Sequence, residues 1–464
     1  MIFLINLLIL FNSFGSPYIT YSVTDFGVVP DDTAFAKSNS EIINQLISGN
    51  DSIKQYELFF PPGKYYVSDP IVFNNNSKIY GAGIGLSVIS ANMDSSYVFT
   101  SKNAGVAKGP KDQVKRAEIH HLGITNSGIG GGVILIEGWK NKLYDLELSA
   151  AKGVGIKIAS SRNTPQELTI RDVRFYRCKV GIFAPGKSEY SLNANDVLVS
   201  GCYFDFHDKK NSDGQLNSIL VHNAAGWIIQ NNHFWSGSKN HAFVFLKEPY
   251  HTLISNNYFE KNAGRSSVRL DMGSVSSCVI TGNSFWMSQK QTAVSIKTHL
   301  YDGLLPKLVS ITGNTAIGSI DGTKFINVNN ETEADSLNTL SSLTISVAGN
   351  ALGVDVGGSI RMIGYNEPRV IDLSTIIQKD GQANLPLNLG DNLLLKSTEE
   401  ESNLLIDIKN KGQLLNDRTV SLTNLTKSTV KLRFSQNTDR KIYKLKPNEV
   451  LVFRGESIVS FTHD

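Results

Sequence analysis

The sequence predicts an all-β chain wound as a right-handed parallel β-helix of three-strand coils, with an N-terminal capping helix and a C-terminal antiparallel β domain. Three observations predict it: a repeat with apolar anchors, an asparagine that recurs beside the later anchors, and a scarcity of helix-forming stretches. The repeat shows in IRDVRF (170–175), VSGCYF (199–204), IQNNHF (229–234), ISNNYF (254–259), ITGNSF (280–285) and ITGNTA (311–316). IHHLGI (119–124) and LYDLEL (143–148) fit more loosely. The anchors Ile124, Leu148, Phe175, Phe204, Phe234, Phe259, Phe285 and Ala316 follow one another in steps of 24 to 31 residues. No helical spacing explains such steps. Each repeat holds three short strand-like runs, in the fifth unit 279–281, 284–286 and 294–297. Coils of that size stack so that each contacts only its neighbours and all share one core. A propeller or a leucine-rich solenoid does not supply this one-turn, three-strand unit. The recurring Asn232, Asn257, Asn283 and Asn314 fall in the tight turn between two runs. Asparagine tolerates left-handed backbone there, and its amide reaches the amide one coil away.

The bulk properties agree. A length of 464 residues exceeds one ordinary core but suits a repeat array. A composition 41% hydrophobic and 19% charged is that of a folded chain. A net charge of +3, with no Lys/Arg block, argues against nucleic acid as partner. Cys178, Cys202 and Cys278 form neither a disulfide framework nor a zinc pair, and read as small buried thiols. Residues 2–11 are apolar except for Asn6, too short a run to span a bilayer. They read as a signal-peptide core with 13–15 as cleavage site, or, since no Lys or Arg precedes them, as an apolar arm. The expected layout is 1–16 for that segment, 17–95 for the cap and first coils, 96–365 for the β-helix and 366–464 for the C-terminal domain. In the last, 385–395, 404–408, 420–425, 430–434 and 450–453 read as strands.

The entry region adds a resemblance. VTDFGVVPDDTAFAKSNSEIINQLI (23–47), LFFPPGKYYVSDPI (58–71) and IYGAGIGLSVI (79–89) resemble the start of the pectate-lyase-like β-helix superfamily. That group includes pectin- and alginate-active enzymes and bacteriophage tailspike depolymerases. The resemblance implies that Asp32-Thr33 caps a helix over 35–47, with Phe35, Ile42, Ile43, Leu46 and Ile47 toward the core, and that PPGKY opens the coils. Val29-Pro30 departs from the family's glycine-rich turn, and no catalytic string of polygalacturonases or alginate epimerases is present. No catalytic residue therefore transfers by motif. The ending LKPNEVLVFRG (445–455) resembles tailspike C-terminal domains, which implies a homotrimer and a virion tail component as an alternative to a secreted protein.

Candidate chemistry follows from strand alternation. With the phenylalanines pointing in, Asp205, Trp235, Glu260 and Trp286 point out on four consecutive coils, about 4.8 Å apart. Sugar rings stack on indoles while acids and amides bind their hydroxyls. The structural alternative is that both tryptophans fold under the following loops. In the next strand Arg269 and Asp271 are expected outward, with Lys297 one coil on. Val244 and Leu246 are expected outward one coil before, with Lys247, Glu248 and His251 just beyond. A surface ion-pair ladder is the alternative there. Hydrolysis needs two carboxyls, about 5–5.5 Å apart for retention or about 6.5–9.5 Å for inversion. Glu260 with Asp271 or Asp205 is the first choice, and Glu248 the reserve. Trp235, Trp286, Arg269, Lys297 and His251 are the expected substrate contacts. A lyase would use Arg269 or Lys297 to meet a uronate carboxylate and Lys297 or His251 as base. The acidic loop 205–213 suggests Ca²⁺ but lacks an EF-hand pattern, so it reads as a solvated loop and no cofactor is expected. The expected function is a depolymerase of an extracellular or capsular polysaccharide, hydrolase before lyase, with a non-catalytic glycan-binding adhesin as the rival.

Overall fold

The computed structural model describes residues 19–48, 56–150, 152–160, 164–185, 194–205, 217–237, 242–262, 266–272, 276–287, 291–298, 307–318, 323–330, 343–348, 350–353 and nine short segments from 369 to 463. The apolar segment 1–16 and residues 206–213 of the acidic loop lie outside these. The chain divides into two units. One comprises Met1–Tyr301, Asn314–Asn329 and Ala351–Gly357, and the other Asp302–Gly313, Asn330–Asn350 and Gly358–Asp464.

The first unit opens with the cap. The Asp32 carboxylate accepts the Ala34 amide at 2.9 Å, and after one 3-10 turn (Thr33–Phe35) comes helix α1 (Ala36–Ser48). Ile43 and Ile47 are buried, and Ile42 and Leu46 half-buried, as expected. Phe35 is not on the core face; it is 40% exposed, because the tighter 3-10 turn breaks the phase of the helical stripe. Polar residues dock the helix instead. Buried Asn39 exchanges bonds with both backbone groups of Val29 and donates to the Tyr66 carbonyl. Ser40 Oγ accepts from the amides of Ser68 and Asp69, and Asn44 bridges Pro70 and Val72. These three side chains satisfy groups of the first coil that a helix face cannot pair.

Parallel coils follow, wound as a right-handed β-helix. Tyr65, Ile89, Ile124, Leu148, Phe175, Phe204, Phe234, Phe259, Phe285 and Ala316 pair rung by rung in one buried column. From Phe175 to Phe285 the rings stack nearly parallel, with centroids 4.6–4.9 Å apart. Each buried phenylalanine contributes about 1.5–3 kcal/mol, and identical neighbours keep every coil in register. A second parallel sheet runs from Ile71–Phe73 up to Lys324–Asn330 and completes each coil.

The corner between the first two strands of a coil is a ladder of amides. Asn232, Asn257, Asn283 and Asn314 are at most 2% exposed. Each of the first three donates from its backbone N–H and its Nδ2 to the Oδ1 of the next, at 2.9–3.0 Å. Each Nδ2 from Asn232 to Asn314 also donates to a carbonyl one coil back, that of Val199, Ile229, Ile254 or Ile280. One expectation is corrected: these asparagines are not the left-handed residues. That conformation belongs to the residue before: His121, Asp145, Asp172, Gly201, Asn231, Asn256, Gly282 and Gly313, with φ between 49° and 67°. The ladder asparagine must aim its amide along the stack, so its neighbour makes the turn.

In the second unit, Lys307–Thr312 pairs in parallel with Leu343–Ala348. Further on, Arg369–Asp372, Asn392–Lys396 and Thr419–Asn424 pair in parallel, and so do Gln382–Pro386, Leu405–Lys409 and Val430–Phe434. The antiparallel domain appears in the last strands: Glu449–Arg454 runs against Thr419–Asn424 and Ser457–His463, and Ile442–Leu445 against Val430–Phe434. The run 385–395 is two strands, the first ending at Pro386. No helix among the described residues is long and apolar enough to cross a membrane.

Candidate functional site

Because each phenylalanine points inward, the residues on either side of it face out. One outward column reads Tyr176, Asp205, Trp235, Glu260, Trp286 and Ile317. Glu260 thus sits one rung from each tryptophan, in the expected register. Trp286 is 46% exposed and Trp235 half-buried, so neither is wholly covered. The Glu260 side chain keeps 16% of its surface. Asp205 shares the column but is 5% exposed, deeper than a freely solvated outward acid.

The second outward column, Glu147, Arg174, Tyr203, His233, Tyr258 and Ser284, supplies the partners. His233 Nε2 lies 3.3 Å from Glu260 Oε2. The His233 ring stands edge-on to Tyr203 at 4.9 Å and tilted against Tyr258 at 4.9 Å. Arg174 reaches Glu147 at 3.2 Å and Asp205 at 3.7 Å, and its guanidinium lies 5.3 Å over Tyr176 and 5.9 Å over Tyr203. Burial, then the charge of Asp205, holds the Tyr203 hydroxyl above the usual phenol range. Burial, then Glu260, does the same to Tyr258. Both phenols therefore stay protonated as donors. Sequence reasoning missed Arg174, Tyr203, His233 and Tyr258, although the signal was present: each directly precedes a phenylalanine anchor, and alternation turns both neighbours of an anchor outward.

The next strands lie in the other sheet. Arg269 grips Asp271 with two bonds of 3.0 and 3.2 Å, and its guanidinium lies 4.3 Å over the Phe245 ring. Asp271 is 5% exposed, in register with Lys247 on one side and Lys297 on the other. The arrangement is one ion pair with a lysine in register on either side. It corrects one assignment: Val244 and Leu246 are fully buried opposite Val268 and Leu270, and Phe245 and Lys247 face out. The run Phe243–Leu246 is apolar at every position, so alternation could not set its phase. Glu248 and His251 occupy the turn into the next coil, both with φ of 49°. The Glu248 amide donates to the Asp271 carbonyl at 2.7 Å, and the His251 amide to Ser277 Oγ at 2.7 Å. The strand Thr252–Ser255 separates that turn from the strand that carries Glu260. The structure thus groups Asp205, Trp235, Glu260 and Trp286 on one face, and Asp271, Arg269 and Lys297 on another sheet.

Among the described residues, no three His, Cys, Asp or Glu side chains gather as metal ligands. The three cysteines are buried, and burial pushes their thiols up to about 12, which makes them unreactive.

Residues 20–119 match the family model described as rhamnogalacturonase A/epimerase, pectate lyase-like. No curated protein sequence matches the chain. Among solved structures, the A-module of the Azotobacter vinelandii mannuronan C-5 epimerase AlgE4 is 14% identical, with 74% of this chain and 98% of that one covered, at a TM-score of 0.39. The tailspike of Acinetobacter phage vB_ApiP_P1 is 13% identical, with 96% and 79% covered, at 0.43. A double mutant of the tailspike of E. coli bacteriophage HK620, in complex with a pentasaccharide, is 11% identical, with 89% and 80% covered, at 0.44. Identities this low say nothing about chemistry. Over residues 20–119 the chain is thus similar to the family described as rhamnogalacturonase A/epimerase, pectate lyase-like, and the coils that follow build a right-handed parallel β-helix.

Proposed function

We propose that the chain cleaves an extracellular or capsular polysaccharide by glycoside hydrolysis on the face of Asp205, Trp235, Glu260 and Trp286. The observation that carries this reading is the single register that alternates two carboxylates with two indoles. A sugar chain lying along the stack meets an aromatic surface on either side of Glu260. Glu260, with His233 against its carboxyl, gives the proton to the glycosidic oxygen. Asp205, with Arg174 beside it, orients the attacking water. Two rungs separate the acids, about 9.6 Å at the usual rung spacing. That lies just beyond the range of about 6.5–9.5 Å for inversion of configuration and far from the separation of about 5–5.5 Å for retention. Asp271 serves less well as a partner for Glu260, because Arg269 already takes both of its oxygens. A lyase that uses Arg269, Lys297 or His251 therefore ranks second. The protein is secreted or part of a virion tail, and assembles as a homotrimer.

The test is incubation with a panel of capsular and uronate polysaccharides. New reducing ends without absorbance from a new C=C bond are expected. Glu260→Gln should lower turnover at least ~10³-fold, within the scale of a lost general acid, while glycan binding persists. Trp286→Ala should weaken binding more than turnover. Near-normal cleavage by Glu260→Gln on a confirmed substrate would overturn the assignment. Tight glycan binding with no cleavage by the wild-type chain would leave the adhesin reading.

A further inference from the structure

Between the strands Tyr97–Ser101 and Val114–Lys115 the chain leaves the coil over residues 102–113, KNAGVAKGPKDQ. The excursion is closed on itself. Asn103 Nδ2 donates to the Asp112 carbonyl at 3.0 Å, and the Lys108 amide to the Asp112 carboxylate at 3.1 Å. It is also fastened to the next coil by one acid. Glu137, 1% exposed, accepts the Gly105 amide at 2.6 Å on one carboxylate oxygen and Gln113 Nε2 at 3.0 Å on the other. Its backbone N–H and carbonyl are both bonded to Ser101 Oγ, at the root of the excursion. Burying a carboxylate is costly unless its lone pairs are met. Here they are met by groups at both ends of a surface loop.

What this loop displays is positive. Lys108 and Lys111 are exposed on it, and Lys115 and Arg116 follow directly. None of the four has a carboxylate within ion-pair reach among the described residues, whereas Lys78, Lys142, Arg174 and Arg269 are each paired with an acid. Asp112, the one acid of 102–117, spends its carboxylate on the Lys108 amide. Past the loop, Lys115 Nζ lies 5.8 Å over the Trp139 ring, and Lys140, 4.6 Å over the same ring, is paired with Glu167 at 3.6 Å and adds no free charge. A chain with a net charge of only +3 thus concentrates bare cations on one braced excursion.

We propose that residues 102–116 form a second, non-catalytic binding site for a polyanion that carries sulfate or phosphate groups. The three lysines present compact point charges, and Arg116 adds a single guanidinium fork. The lysines suit tetrahedral oxyanions, approached from any side, better than planar carboxylates. The site shares no residue with the hydrolytic reading, so either can fail without the other.

The experiment uses the full chain and three probes: heparin for sulfate, inorganic polyphosphate for phosphate, and polygalacturonate as a carboxylate control. Heparin and polyphosphate should bind, with affinity falling steeply as salt rises. Polygalacturonate should bind at least ~10-fold more weakly, on the principle that point charges follow anion density. Lys108→Glu with Lys111→Glu should weaken heparin at least ~10-fold and flatten its salt dependence by roughly two counterions. Glu137→Gln separates a built site from general attraction. It removes a negative charge, so attraction alone predicts tighter binding, while loss of the brace predicts binding several-fold weaker. Gln113→Ala changes no charge, carries the same expectation, and decides the matter where Glu137→Gln does not fold. Unchanged or tighter heparin binding by the brace variants, wild-type binding by the double lysine variant, or equal binding of polygalacturonate would each overturn the proposal.

Discussion

Replacing Asn257 by alanine tests whether the amide ladder holds the coils or merely decorates their corner. Asn257 is 2% exposed. Its Oδ1 accepts the Asn232 backbone N–H at 3.0 Å and Asn232 Nδ2 at 3.0 Å. Its Nδ2 donates to the Ile229 carbonyl at 2.9 Å and to Asn283 Oδ1 at 3.0 Å. Truncation removes all four bonds, but their consequences differ. Asn232 Nδ2 keeps its bond to the Val199 carbonyl, and Asn283 Oδ1 keeps the Asn257 backbone N–H. The Asn232 N–H and the Ile229 carbonyl lose these partners in a buried corner. At about 1–3 kcal/mol for each orphaned group, the cost is roughly 2–6 kcal/mol. Equilibrium urea unfolding, followed by far-UV circular dichroism, should show the midpoint fall with little change in slope. A loss below about 1 kcal/mol would refute the reasoning, because it would mean that water or relaxed backbone satisfies both groups.

Three further outcomes are expected. Cys202 occupies the ladder position one coil before Asn232, and its thiol points at the Ile170 carbonyl at 3.7 Å, where later coils place an amide. Cys202→Asn should therefore stabilise the fold by about 1 kcal/mol in the same unfolding assay, the net worth of one good hydrogen bond. His120 is clamped between the rings of Tyr80 and Tyr144, 5.2 and 4.5 Å away, and burial, then His121 and Lys78, lower its pKa to about 4. The unfolded chain binds a proton there near pH 6.5 and the native chain does not, so stability falls as pH drops from 6.5 to about 4. In His120→Phe, melting temperature should decline less over that window; an identical decline would refute this. On the proposed trimeric assembly, light scattering should return about three times the 50.9 kDa of the chain, and a monomer mass at micromolar concentration would count against trimerisation.

The sequence made legible whatever obeys one strict rule. Inward phenylalanines recur because only a large apolar side chain fills each level of the core, and strand alternation then turned Trp235, Glu260 and Trp286 outward together. The same rule would have found His233 and Tyr203 had both neighbours of each anchor been read. It could not work on Phe243–Leu246, where every position is apolar and pairing with Val268 and Leu270 sets the phase. Depth was also hidden. Asp205 shares the register of Glu260 yet is buried, because packing against Arg174 and Tyr176 is a tertiary matter. The left-handed residue at the corner was missed because Asn231-Asn232 and Asn256-Asn257 offer two asparagines for one job, and only the ladder geometry separates them.

The corner has a consequence for how such a gene can change. From His121 to Gly313 eight successive levels make the same left-handed turn with four different amino-acid types, while the phenylalanine column stays aligned although the anchor steps vary. Differences in coil length therefore fall chiefly between strands, although the register also shifts between Pro165 and Leu168 and between Glu260 and Asn262. Deleting one codon inside the strand His233–Gly237 would exchange inner and outer faces for the rest of that strand. Codons added between strands lengthen a surface segment and leave the stack untouched. Heritable novelty in this architecture is thus confined chiefly to the intervals between strands, and whole coils can be copied into the array as finished parts.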